Sequence, residues 1–187
     1  MEFRRGSPVT MRRTRRIVSN GGNRNVQTVN HVDLKRYAGS WYEIARCKNR
    51  FEKGCVSNVT AHYKLRDDGN IEIVNSCRRL DGKLEAWRRI ARVKDTSTNA
   101  KWNMGSFWPF SRDYWILDLD AEYRYAMVGE PRGKSLRILS RTRSLDEEIY
   151  QDLLRKAQSL GYDTSQTVRT PQTDLTARQS GGPTLFR

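Results

Sequence analysis

Acid–base, nucleophilic or metal chemistry in this sequence could fall only to a short set of side chains. They are two histidines, His31 and His62, three cysteines, Cys47, Cys55 and Cys77, and the paired carboxylates Asp118 and Asp120. A zinc site needs Cys and His ligands at short, paired spacings. A serine nucleophile needs a strained Gly-x-Ser-x-Gly turn, and a phosphate cradle needs a glycine-rich loop leading into a helix. None of these patterns occurs, so neither an enzyme nor a cofactor or metal site is expected. Three cysteines allow one bridge with one thiol left over, which by count alone leaves the redox compartment open.

Charge is the other conspicuous chemistry. The formal net charge is +14, and seven arginines against one glutamate in residues 1–30 supply +6 of it. Such a balance invites nucleic acid or an anionic membrane as partner. No zinc spacing, recognition helix or stacking platform accompanies it, so any nucleic-acid binding would be electrostatic, non-specific and lost with salt. Residues 1–30 lack hydrophobic periodicity, and Gly21-Gly22-Asn23 marks a flexible point. They read as a disordered basic arm, with organellar targeting, a start placed too far upstream or a functional basic arm as the alternatives. No apolar stretch approaches the roughly 18 residues of a membrane helix, and no secretory h-region is visible.

From Val32 the texture changes to short alternating segments, near 40–47, 55–65, 70–79, 83–94, 100–107, 113–119, 123–130 and 134–141. They are separated by turn clusters such as Asp67-Asp68-Gly69-Asn70, Asp81-Gly82 and Pro131-Arg132-Gly133. Eight strands at regular spacing predict an all-β, up-and-down antiparallel unit closed into a barrel. One amphipathic helix follows, with Ser144 and Glu147 as its capping box, Leu145, Ile149, Leu153 and Leu154 as its stripe, and Gly161 as its stop. It should pack outside the barrel. A short strand is expected within 165–170, and from Pro171 a loose polar tail. The domain therefore runs over residues 31–170. An eight-stranded barrel is filled by its own side chains or holds one small ligand.

Five segments carry a resemblance: GSWYEIAR at 39–46, RFEKG at 50–54, VTAHYKLRDDG at 59–69, LDLDAEYRYAMV at 117–128 and ILSRT at 138–142. In this order and spacing the chain resembles the bacterial lipocalins, most closely the outer-membrane lipoprotein type. The resemblance implies an eight-stranded calyx with a flanking helix, and a hydrophobic ligand, such as a lipid, bound, stored or carried in the cup. It also implies a place in the cell envelope, in periplasm or outer membrane. It assigns Gly39, Trp41 and Arg141 to the closed end, where the guanidinium lies against the indole. Relatives of that type often have an acylated cysteine after a signal sequence. No cysteine precedes Cys47 here, so anchoring by that route is not expected of this sequence.

Alternation along the strands then names the inward positions. Besides Trp41, they are Glu43, Ala45 and Cys47; Val59, Ala61, Tyr63 and Leu65; Ile71, Ile73, Asn75 and Cys77; Trp87, Arg89, Ala91 and Val93. The later strands add Trp102, Met104 and Ser106; Tyr114 and Ile116; Tyr125 and Met127; Arg137 and Leu139. Small residues among them favour an open cavity over a solid core. Arg89 and Arg137 depart from the family pattern. An inward arginine must meet an acid, reach the rim or bind an anion. Glu43 is the nearest acid for an internal pair; the alternative is an anionic lipid such as a fatty acid or lysophospholipid. Cys55 and Cys77, inward at similar height on neighbouring strands, are the expected bridge, which favours an oxidising compartment. Phe51 in the loop 49–54, with Trp108 and Phe110, forms a lid or apolar rim that could touch a membrane. The protein could be a monomer or a homodimer.

Overall fold

A computed structural model describes residues 26–47, 54–105, 112–133 and 135–173. The alternating segments form strands close to the expected bounds: β1 Gly39–Cys47, β2 Cys55–Leu65, β3 Ile71–Arg79, β4 Leu84–Val93, β5 Lys101–Met104, β6 Arg112–Leu119, β7 Tyr125–Gly129 and β8 Leu136–Ser140. Each pairs antiparallel with the next, and β1 pairs with both β8 and β2, closing the barrel. Turn chemistry holds the hairpins in register. Asp68 accepts from the Asn70 amide at 3.0 Å, and Gly69 adopts φ +75°; Asp81 and Gly82 do the same between β3 and β4.

Closure is uneven. β1 pairs with β2 only over Gly39–Tyr42, opposite Tyr63–Thr60. Above that, β2 leaves the edge of β1, and a short strand β9, Thr167–Arg169, takes its place against Ala45–Cys47. The segment after β9 straps the gap. The Thr170 amide donates to Ile44 O, the Asn58 amide to Pro171 O, and Gln172 Nε2 to both Glu43 O and Val59 O, at 2.8–2.9 Å. Pro171–Thr173, read from sequence as the start of a loose tail, is thus part of the wall. Residues 174–187 and the arm 1–25 lie outside the described residues. Val26, Val29 and Val32, at the other end, pack into the two apolar clusters.

A one-turn helix α1, Leu34–Tyr37, precedes β1 and lies under the barrel; it was not foreseen from sequence. Asp33 caps it, accepting from the amides of Lys35 and Arg36. The foreseen helix, α2, spans Glu147–Ser159, but its cap is Asp146 rather than Ser144. Asp146 places a carboxylate against the amides of Glu148 and Ile149, where the helix dipole favours negative charge. Ser144 instead offers its carbonyl to the Thr142 hydroxyl. The helix buries Tyr150, Leu153 and Ala157 against Ile44, Ala45, Leu117, Met127, Leu136 and Ile138 on the outer face of the wall. The barrel core proper sits at the closed end, around Trp41, Tyr37, Trp102, Tyr63 and Ile116.

Among the described residues no helix is long and apolar enough to cross a membrane, and no group of three or more His, Cys, Asp or Glu side chains could hold a metal ion.

Candidate functional site

The closed end is built from Gly39 and Trp41 at the start of β1 and Arg141, about a hundred residues on. Trp41 is fully buried and donates its indole N–H to Tyr37 O at 2.8 Å. The Arg141 guanidinium lies 3.9 Å from the centre of the Trp41 ring and donates to Ser40 O, Arg36 O, Tyr37 O and Tyr123 O. Cation–π attraction and four carbonyl acceptors thus hold one side chain against the plug. Gly39 has φ +94°, and a Cβ there would come within 3.3 Å of Arg141 Nη1. Left-handed backbone and close approach of the guanidinium together call for glycine.

Above this floor the barrel encloses a cavity of about 630 Å³. Of the positions expected to face inward, Glu43, Val59, Ala61, Tyr63, Ile73, Asn75, Trp87, Arg89, Met104, Tyr114, Arg137 and Leu139 line it. Trp102 and Ile116 face inward too but are fully buried in the floor beneath it. Phe51, Trp108 and Phe110, with Ser106, lie outside the described residues.

Four expected positions are corrected. Ala45, Tyr125 and Met127 face out, toward α2, and Cys47 also turns out, against the same cluster. A bulge between Glu43 and Ala45 shifts the register of β1, so Ile44 and Ala45 both go under the helix and Arg46 turns into the cup. On β7 the inward residues are Ala126 and Val128. Nearly every β7 position is buried, because the helix covers the outer face. With both faces apolar, hydrophobic alternation carries no parity signal. On β6, Ile116 and Leu117 are both buried, on opposite sides of the wall, and a second bulge follows between Ile116 and Asp118.

The bulge on β1 also decides the electrostatics. Glu43 is 3% exposed. Its Oε1 accepts from Arg46 Nη1 at 2.6 Å and from Thr170 Oγ1 at 2.7 Å, and its Oε2 lies 3.4 Å from Arg137 Nε. Arg46 continues to Cys55 O at 2.7 Å. The internal Glu43–Arg137 pair expected from sequence exists, and Arg46 joins it as a second cation; no sequence signal marked the bulge that brings it in. Arg89, by contrast, forms no ion pair among the described residues and stays open to solvent. Arg79, Glu85, Arg112 and Asp113 complete the mouth and were not foreseen, although Arg79 and Glu85 flank the Asp81-Gly82 turn and pair at 2.6 Å.

Cys55 and Cys77 form a disulfide, with Cα atoms 5.6 Å apart. Cys47 is the spare thiol, beside Thr167 and the Asp163 carbonyl, and burial raises its pKa. At the bottom of the cup the hydroxyl of Tyr114 meets those of Tyr63 at 2.8 Å and Tyr37 at 3.0 Å. Burial pushes all three phenols up, Tyr63 to about 12.

A family model described as a lipocalin-like domain matches residues 32–172. The chain belongs to the lipocalin family. Outer membrane lipoprotein Blc of Escherichia coli K12 is 40% identical over 150 residues, covering 80% of this lipocalin and 84% of that protein. Temperature-induced lipocalin-1 of Arabidopsis thaliana is 32% identical over 167 residues, covering 86% and 90%. Among solved structures, lobster apocrustacyanin A1 superposes with a TM-score of 0.61 at 19% identity, over 75% of this chain and 79% of that one, which shows the shared fold. As a lipocalin the protein binds small hydrophobic ligands and is not an enzyme.

Proposed function

We propose that the cup holds a single-chain anionic lipid, a fatty acid or lysophospholipid, with its acyl chain along the apolar wall and its head at the mouth. One observation carries this reading: two arginines stand on the inward face at the open end with no ion pair among the described residues. Met104 pairs in register with both Ala91 and Arg112, and Arg89 lies two residues from Ala91 on the same face of β4. Arg89 and Arg112 therefore flank β5 from neighbouring strands, both pointing into the cup. Of the four acids in the lining, Glu43, Glu85, Asp113 and Glu130, the first two are already neutralised by arginines. Asp113 pairs in register with Asn103, on the opposite face from Arg112, and accepts from its side chain. Lower down, Val59, Ala61, Ile73, Val128 and Leu139 offer hydrocarbon to an acyl chain.

By its likeness to the outer-membrane lipoproteins, the protein works in the cell envelope, where such lipids are available and a disulfide persists. The test compares a fluorescent fatty acid with the matching fatty alcohol. Arg89→Gln/Arg112→Gln should weaken the acid about tenfold, as two partly exposed charges of up to ~1 kcal/mol each allow, and leave the alcohol unchanged. Equal affinity for acid and alcohol in the parent protein would overturn the anionic reading. Removing residues 1–25 should leave fatty-acid affinity intact, whereas a function resting on the basic arm would be lost.

A further inference from the structure

We infer that the floor of the cup is a second polar subsite, in which the one spare hydroxyl proton of the Tyr63–Tyr114 pair is donated to an uncharged oxygen at the buried end of the ligand. The inference rests on the cup being the lipid site and adds a requirement at its far end. It follows from counting protons. Tyr37, Tyr114 and Tyr63 carry three hydroxyl protons, and two contacts, 3.0 Å and 2.8 Å, join their oxygens. Whichever way those bonds run, one proton has no acceptor within the triad, and no other hydrogen bond of these hydroxyls occurs among the described residues.

A buried hydroxyl proton without an acceptor is unfavourable. Tyr63 and Tyr114 line the cavity, whereas Tyr37 lies beneath it, on α1, packed against Trp41 and Trp102. Hydroxyl protons rotate freely. An acceptor arriving in the cavity therefore selects the direction Tyr37 to Tyr114 to Tyr63, or both outer hydroxyls donating to Tyr114, and either leaves the unused proton facing the ligand. The rings are held in place, since Trp102 stacks on Tyr114 at 5.1 Å and packs edge-on to Tyr37 and Tyr63. The acceptor should be neutral. The burial that keeps these phenols protonated would equally penalise a carboxylate there, and Arg89 and Arg112, which form no ion pair among the described residues, sit at the other end. The ligand class is thus a lipid with an anionic head and a keto, ester or hydroxyl oxygen near its far terminus.

The test uses the full chain with palmitate and its (ω−1)-oxo analogue, each displacing the same fluorescent fatty acid. The oxo compound should bind about fivefold more tightly, the gain from one net hydrogen bond. The carbonyl stretch of the 13C-labelled oxo group should move to lower wavenumber on binding. Both effects should vanish in Tyr63→Phe/Tyr114→Phe, which removes the two cavity-facing hydroxyls. Palmitate binding with no oxo preference and no carbonyl shift overturns the floor subsite and leaves the lipid cup standing. Binding of neither compound overturns both. The comparison in the parent protein does not depend on whether the double variant folds.

Discussion

Glu43→Gln puts the buried charge cluster under the sharpest strain. The substitution keeps shape and keeps an oxygen for Thr170, but removes the carboxylate that Arg46 and Arg137 share. Their side chains are 13% and 30% exposed, against 3% for Glu43. Breaking a buried pair by removing one partner costs about 3–5 kcal/mol. The Arg46 contact, short and largely buried, lies within that range, whereas solvent relieves much of the Arg137 term. About 3 kcal/mol in total follows. For a domain of this size it corresponds to a fall in Tm of about 6–12 °C, measured by urea unfolding and thermal melts. Because the cup then loses one negative charge from its lining, affinity for a fatty acid should rise about threefold to fivefold while stability falls. A double-mutant cycle with Arg46→Met should show a coupling above ~1 kcal/mol. A Glu43→Gln protein within ~1 kcal/mol of the parent, with no coupling to Arg46, would refute the idea that this carboxylate holds the two arginines in the wall.

Other perturbations probe separate parts of the fold. Gly39→Ala forces an alanine to φ +94° and pushes on Arg141 Nη1 at 3.3 Å; it should cost about 2 kcal/mol in a urea titration. Reducing the Cys55–Cys77 bridge, which spans a sequence separation of 22, should remove about 3 kcal/mol, read as a lower urea midpoint with reductant present. The Asp120 carboxylate is held down to about 2, chiefly by the Arg124 side-chain hydrogen bonds. Its folded-state pKa lies below the unfolded value, so its stabilisation is full above about pH 4 and disappears as pH falls through 2. Melts of the parent and Asp120→Asn should therefore differ at pH 6 and converge near pH 2.

The elements of this lipocalin are legible in its sequence because most of them answer to local rules. Alternation gives a strand, and Asp-Gly pairs give hairpin turns. A polar cap, an apolar stripe and Gly161 give α2. On β2, β3 and β4 one face meets the cup and the other water. Even the inward residues of those strands could be named there, from Ala61 and Ile73 to Trp87 and Arg89. The Gly39–Trp41–Arg141 set needed the family resemblance, since its members meet only when the barrel closes.

Local rules give out where two elements cover one strand or where the register slips. Under α2 both faces of β7 are apolar, so sequence could not say that Val128 rather than Met127 faces the cup. At Ile44 one extra residue in β1 reverses the direction of everything above it, burying Ala45 against the helix and delivering Arg46 to Glu43. A bulge responds to the packing of its neighbours on both sides, the helix outside and the strap of residues 170–172 alongside. That is why the sequence determined which strands build the cup, and three-dimensional packing decided which charges stand inside it.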